Sequence, residues 1–367
     1  MDWWWHPLRS KRRGIEVGTT TSHRILAIDG GGLKGVMPAA FLAQIEETTA
    51  QRIVDHFDLV VGTSTGGIIA LGIGLGIPCN EILEFYRWHG PRVFGKPRGR
   101  SPAATLVSTV WREARGLVTS KHKPEPLLTA LETVFRNRRL GESSTRLVVP
   151  AWDSQRRHPC LFKTAHHPRF EIDYNRRVVD IAMATAAAPT YLPAHRMHGI
   201  DFVDGGVWAN NPAAVAAIEA VAVLGWQPQD TAMLSLGCTD EALVVPTKMG
   251  MVNGASIGVE MLMQGQGLSA LEAARILLRD SSGEQDRVCR VDETVKRGFA
   301  KLDDAKQIEK LEGLGRAQAR KWLPRVRKQF LMKHRQRFVP CREVHTVAAR
   351  APPRRRCSPQ GHAGNTV

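Results

Sequence analysis

Gly62-Thr63-Ser64-Thr65-Gly66 lies between two apolar runs, Phe57–Val61 and Gly67–Ile77. A short apolar run, a glycine-flanked turn and a second apolar run are the pattern of a strand that turns sharply into a helix. A serine at the tip of such a turn is held in a strained backbone conformation. Gly62 and Gly66 let strand and helix approach without a Cβ clash. The five residues alone are a weak signal, because G-x-S-x-G also arises by chance in Gly- and Ser-rich loops, so the surroundings have to carry the reading.

Those surroundings alternate between strand-like and helix-like segments. Arg24–Asp29 reads as a buried strand and Pro38–Ala50 as a helix with Phe41, Leu42 and Ile45 on one face. Leu59–Val61 is the strand before the serine, and a helix follows it to Gly76. A helix capped by Asn80 runs through Phe85 to Trp88. Residues 91–124 are rich in Pro, Gly, Arg and Lys and read as an excursion from the core, a lid. Further strands are expected at Leu147–Trp152, Cys160–Thr164, Phe202–Asp204 and Met233–Leu236. Helices are expected at Leu127–Phe135, Val178–Ala188, from Asn211 onward, at 255–279 and over Leu302–Leu331, the last with a break near Pro324. Such alternation predicts an α/β fold with a largely parallel sheet covered by helices on both faces.

Charge divides the chain differently. The formal net charge is +16, of which residues 1–13 supply +3 and residues 316–356 supply +13, so the body is neutral. The division expected is a basic, Trp-containing leader at 1–22, a catalytic domain at 23–240, a helical part at 241–339 and a disordered basic tail at 340–367. Basic ends suit an anionic partner such as a membrane surface, and equally suit a solvated face with a tail. The six cysteines are scattered without a CxxC pair, which argues against a disulfide framework or structural zinc and fits a reducing cytosol. The longest apolar stretch, Ile68–Ile77, is ten residues, about half a membrane span.

Asp29-Gly30-Gly31-Gly32-Leu33-Lys34-Gly35 follows one strand and precedes a helix. Gly30-x-Gly32-x-x-Gly35 fits a dinucleotide-binding turn. The same backbone serves as an oxyanion hole, since consecutive glycines let amides point at one site without a side chain in the way. The serine turn some thirty residues on and the positive charge of Lys34 favour the oxyanion use.

A serine hydroxyl needs a neighbouring base. Among thirteen histidines, the candidates His158, His166, His167, His195 and His198 lie downstream of the serine, but none ends a strand, and each reads as a surface residue. Asp204 does end an apolar strand and is followed by Gly205 and Gly206, so its carboxylate can approach the turn from a neighbouring strand and gain basicity from desolvation. An Asp-Gly turn is its bland alternative. From these residues alone, a Ser–Asp and a Ser–His pair stand level.

Taken in order, the Asp29–Gly35 loop, Gly62–Gly66, Ala186-Ala187-Ala188-Pro189-Thr190-Tyr191-Leu192-Pro193 and Asp204-Gly205-Gly206 resemble the patatin-like phospholipases over roughly residues 24–240. The resemblance implies the three-layer α/β/α patatin-like fold and a Ser–Asp dyad without histidine, with Ser64 as nucleophile and Asp204 as base. It also implies an oxyanion hole from the loop of Gly30, Gly31 and Gly32 together with the amide of Thr65. Lys34 stands where many members have arginine, which keeps the charge but loses the bidentate fork. The activity implied is hydrolysis of phospholipid acyl esters, without a metal or other cofactor.

A narrower likeness covers His56–Gly76, Glu81–Tyr86, His89–Phe94 and Leu302–Ala305 with Leu311 and Gly315. These stretches are similar to bacterial patatin-like effectors of anti-phage signalling. That implies a cyclic di- or trinucleotide ligand that switches the lipase on, homo-oligomer formation on activation, and a cytoplasmic protein acting peripherally at the inner membrane. Trp322, Leu323, Val326, Phe330 and Leu331, interleaved with Arg320, Lys321, Arg325, Arg327 and Lys328, form a basic amphipathic segment. It suits contact with an anionic membrane surface, and equally a helix docked on the body. Trp3–Trp5 beside Arg9–Arg13 suits the same contact or an unstructured leader. The other readings are a constitutive lipid acyl hydrolase, a nucleotide-dependent oxidoreductase built on the glycine loop, and a nucleic-acid-binding protein. The last lacks a recognised reading motif, so no nucleic-acid partner is expected.

Overall fold

A computed structural model describes residues 23–94, 122–241, 251–279, 287–296 and 307–344. The predicted leader, most of the predicted lid, Leu302–Ala305 and residues 345–367 of the predicted tail lie outside the described residues.

The chain opens with β1 (His23–Ile28), a 3-10 turn at Gly32–Gly35 and α1 (Val36–Thr49). Then follow β2 (Leu59–Gly62), α2 (Thr65–Gly74), α3 (Cys79–Phe94), α4 (Glu125–Phe135), β3 (Arg146–Asp153), β4 (His158–Lys163) and α5 (Val178–Thr185). Next come β5 (His195–Met197), β6 (Ile200–Asp204), the short α6 (Gly206–Ala209), α7 (Ala213–Ile218), β7 (Thr231–Leu236) and β8 (Asp240–Glu241). The last are α8 (Met251–Leu277), β9 (Val288–Val291), β10 (Thr294–Val295) and α9 (Ile308–Val326). The main sheet runs β5-β6-β3-β2-β1-β7-β9, with β4 paired to β3. Its centre, from β3 through β2, β1 and β7 to β9, is parallel, while β4, β5 and β6 pair antiparallel.

Side-chain alternation makes the layers. In β1, Leu26 and Ile28 face a large core built from α1 to α5 and α9, whereas Ile25 and Ala27 face a smaller one built from α7 and α8. Both faces of the sheet are therefore covered, in the predicted three-layer α/β/α order. The strands β5 and β9 were not foreseen. The predicted boundary at residue 240 is crossed by main-chain pairing, since β9 joins β7 in register from Met233↔Val288 to Leu236↔Val291.

The amphipathic segment near the end docks on the body and does not lie free. Val326, Phe330 and Leu331 are buried in the large core, and Trp322 and Leu323 pack against it. The helix passes through Pro324 without the predicted break and continues as wider π turns at Arg327–Leu331, because its apolar stripe is held on both sides of the proline. Arg24, itself buried, fastens the following strap. Its guanidinium donates to the carbonyls of Phe330, Lys333 and His334, while Asp58 accepts its main-chain amide at 2.9 Å. Even the start of the predicted tail is held, the Cys341 amide donating to the Ala165 carbonyl at 2.7 Å.

Phe330 stacks on Phe57 with ring centroids 5.7 Å apart and is fully buried. Phe330→Ala should cost about 3–5 kcal/mol in urea unfolding. An unchanged midpoint would mean that the segment contributes nothing to the core.

Candidate active site

The register of β3 explains how two residues 140 positions apart come to touch. A strand has two edges, and β4 occupies one of them over Val148–Asp153. β2 pairs with Leu147 and Val148, and β6 pairs with Ala151, Trp152 and Asp153, so both must share the other edge. β2 runs parallel to β3 and β6 antiparallel, so their C-terminal ends point at each other. Pro150, which has no amide to donate, falls at the junction. Its carbonyl accepts the Thr185 hydroxyl at 2.6 Å.

Ser64 follows β2 at φ 55° and ψ −121°. Positive φ in a residue with a Cβ is a strained state that the surroundings must enforce. Here the Ser64 amide donates to Thr185 Oγ1 at 2.9 Å, and the Thr63 hydroxyl donates to the Ala209 carbonyl at 2.6 Å. A Cβ at Gly66 would collide with the carbonyls of Ile28 and Asp29, and one at Gly62 with Gly66 itself. Both flanking glycines therefore serve close approach.

Asp204 ends β6, and Ser64 Oγ donates to its Oδ2 at 2.6 Å. The other oxygen, Oδ1, accepts the Gly206 amide at 2.6 Å, which is what Gly206 contributes; Gly205 lets the chain pass the Pro150 carbonyl. Asp204 is 4% exposed and Ser64 8%. Desolvation pushes the Asp204 carboxyl up to about 6, against the opposing pull of the hydrogen bonds from Ser64 and Gly206. No histidine bonds to either residue among the described residues. His166, predicted to be a surface residue, is instead buried between Thr164 Oγ1 and Glu219 Oε1, at 2.8 and 2.9 Å. His195 is half-buried beside Asp180 at 3.5 Å.

The glycine loop lies against the pair, a Cβ added to Gly30 standing 3.2 Å from that of Ser64. One of the four predicted oxyanion groups is already engaged, since the Gly30 amide donates to the Asn210 carbonyl at 2.9 Å. That bond ties the loop to the segment after Asp204. The amides of Gly31, Gly32 and Thr65 make no hydrogen bond among the described residues. Gly32, at φ +55°, takes the left-handed turn that only glycine adopts without strain. Lys34 does not reach the pair, its Nζ donating to the Thr239 carbonyl at 3.1 Å, and Gly35 lets the loop close against the Thr65 side chain.

Several participants were not singled out in the sequence. Tyr86 is buried with its hydroxyl on Thr65, donating to the carbonyl at 3.0 Å and sharing a 2.5 Å bond with Oγ1. Gln266 of α8 accepts the Asn210 amide at 3.2 Å and donates to the Trp208 carbonyl. Arg290 of β9 grips Asp29 at the head of the glycine loop, at 2.7 and 3.0 Å. None of these carries a local motif. Among the described residues, no group of three His, Cys, Asp or Glu converges at metal-binding spacing.

The chain belongs to the patatin-like phospholipase family, whose model matches residues 26–217. It is similar to a cGAMP-activated phospholipase of Pseudomonas aeruginosa, 39% identical over 53% of this chain and 55% of that protein. A second cGAMP-activated phospholipase, from Vibrio cholerae serotype O1, is 34% identical over 53% of this chain and 57% of its own length. Patatin-like protein 3 of Arabidopsis thaliana is 31% identical over 53% of this chain and 51% of that protein. The chain thus spans little more than half the length of the curated relatives it matches.

If Asp204 is the base, it must be ionised to accept a proton, so its working form is lost as pH falls. With a soluble ester, kcat/KM should hold above pH 7 and drop toward tenfold per pH unit below about 6. A flat profile down to pH 4.5 would remove Asp204 as the base.

Proposed function

We propose that this protein is a lipid acyl hydrolase of the phospholipase A type, acting through a Ser64–Asp204 dyad. The carrying observation is the 2.6 Å hydrogen bond from a strained, nearly buried serine to a desolvated carboxylate. Asp204 takes the hydroxyl proton as Ser64 Oγ attacks the ester carbonyl. The amides of Gly31, Gly32 and Thr65 are the donors for the oxyanion that forms. Asp204 then hands the proton to the departing alcohol, leaving the acyl group on Ser64. In the second half, Asp204 takes a proton from water as the water attacks the acyl carbonyl, then returns that proton to Ser64 Oγ as the fatty acid leaves.

A substrate held in a bilayer calls for an apolar surface beside the dyad. Val259, Leu262, Met263 and Gln266 recur at i, i+3, i+4 and i+7 and so share one face of α8. Gln266 holds the loop at Trp208 and Asn210, while Val259 is 57% and Leu262 74% exposed. Val207, three residues past Asp204, is also exposed. We assign peripheral membrane contact to this face, in place of the C-terminal helix whose stripe is buried. Among the described residues, no helix is long and apolar enough to cross a membrane.

Similarity to two cGAMP-activated phospholipases supports regulation by a cyclic di- or trinucleotide; action from the cytoplasm at the inner membrane, a role in anti-phage defence and assembly on activation are further parts of this proposal. The second reading is a constitutive acyl hydrolase of lipid metabolism, the similar proteins also including a plant patatin-like protein.

Phospholipid vesicles should release fatty acid with the wild type, and at least about a thousandfold more slowly with Ser64→Ala or Asp204→Ala. Full activity in both variants would overturn the dyad. Stimulation of the wild type by one member of a cyclic nucleotide panel supports the regulated reading, and activity independent of all of them supports the constitutive one.

In a Ser64→Ala background, Val259→Asp with Leu262→Asp should weaken co-sedimentation with vesicles by at least about tenfold, given the roughly 1.5–3 kcal/mol that each buried aliphatic side chain contributes. Unchanged partition would place the membrane contact elsewhere.

A further inference from the structure

Asp29 stands between β1 and the glycine loop, and both of its carboxylate oxygens are taken by one residue 261 positions away. Arg290 donates Nη1 to Oδ1 at 3.0 Å and Nη2 to Oδ2 at 2.7 Å, in the planar two-point geometry only arginine supplies. The pair is nearly buried, with side chains 15% and 8% exposed. The guanidinium is fixed in turn by Ser235 Oγ at 2.9 Å and Asp292 Oδ2 at 2.5 Å. These partners leave its position little freedom. Burial pushes the Asp29 carboxyl up and Arg290 opposes that rise, so the carboxylate depends on this partner.

The same edge of the sheet holds the far side of the loop. Asp292 Oδ1 accepts the Thr239 amide at 3.2 Å, and the Thr239 carbonyl accepts Lys34 Nζ at 3.1 Å. Lys34 lies just past Gly32, so the loop is tied at its entry through Asp29 and at its exit through Lys34. Both ties end on Arg290 and Asp292. Cys238 Sγ adds a weak donation to the Asp29 carbonyl at 3.3 Å. Between these ties stand Gly31 and Gly32, which have no side chains of their own to fix them.

We propose that Arg290 is a positioning residue for ester hydrolysis: by clamping Asp29 and Asp292 it sets where the amides of Gly31 and Gly32 stand relative to Ser64. The inference rests on the dyad reading, with the glycine loop as the oxyanion hole. Arg290 touches neither substrate nor reacting atoms. Its effect should fall on the transition state, where the oxyanion exists, and little on ground-state binding. Glu293, next to Asp292, accepts Gln318 Nε2 of α9 at 2.5 Å, so the helical segment downstream bears on the same clamp.

The test uses the full chain, a soluble p-nitrophenyl ester, and active sites counted by complete labelling with a fluorophosphonate. Arg290→Gln should lower kcat per labelled site by about ten- to a hundredfold while KM changes less than about threefold. Arg290→Lys, which keeps the charge but loses the fork, should fall between this variant and the wild type. A merely structural role would reduce the number of labelled sites and the thermal midpoint but leave kcat per site unchanged, and that result would overturn the proposal. Should Arg290→Gln fail to fold, Arg290→Lys and Asp292→Asn decide, and wild-type kcat per site in both would overturn it. Ser64→Ala is run alongside. If it retains activity, the dyad falls and this inference with it; if it is inactive while Arg290→Gln turns over at the wild-type rate, only the role of Arg290 falls.

Discussion

The rest of the site depends on a carboxylate being held without water. Asp204 receives two hydrogen bonds, from Ser64 and Gly206, and is otherwise surrounded by the protein interior. Its midpoint of about 6 against an ordinary 3.8 means the fold binds its proton more readily than the unfolded chain does. The carboxyl's own contribution to stability is therefore greatest below pH 4 and declines as pH rises from about 4 to about 6; above that range the ionised group costs on the order of 3 kcal/mol. The large core on one side of the sheet and the smaller one on the other offset that cost. The same desolvation makes the carboxylate basic enough to take a proton from serine, so the destabilising feature is also the reactive one.

Features coded locally were legible in the sequence. The turn around Ser64, the glycine loop and the strand ending at Asp204 each carry their signal within a few residues, because backbone approach and positive φ restrict which residues fit. The parallel strands β1, β2, β3 and β7 were legible through apolar runs separated by helical spacing, while β9 was not. The contacts that orient the site were not. Thr185 and Tyr86 look like ordinary core residues, and Arg290 looks like a lone cation in a short apolar strand. Their meaning arises from pairing between distant segments, for which a single sequence has no pattern. Gly30 shows the finer limit: its position in the loop was foreseen, but the engagement of its amide by Asn210 was not. The apolar stripe from Trp322 to Leu331 shows another, since an amphipathic helix reads alike whether lipid or protein covers it.

The downstream part of the chain is joined to the upstream part by charge as well as by packing. Arg24 and Asp58 sit under the strap at Phe330–His334, Arg87 and Arg316 both reach Glu312, and Arg290 joins β9 to the loop after β1. These are mostly half-buried arginines on carboxylates or carbonyls, where geometry is fixed and solvent screening is weaker than at the surface. In the strongly basic end, Arg316 and Arg335 supply such ties, the latter donating to the Val54 carbonyl at 2.7 Å.

Nucleophile and base arrive on two strand ends that abut along one edge of β3, and the dyad draws its register from that edge. The chain between them loops out through α3, α4, β4 and α5, touching the site again at Tyr86 and Thr185. Insertions, deletions or wholesale replacement in the connections of that excursion would leave the meeting of Ser64 and Asp204 intact so long as β3 keeps its pairing. An architecture of this kind can exchange substrate-facing surface over evolutionary time while its chemistry stays in place, and the same connections are where a designer could splice new recognition into the molecule.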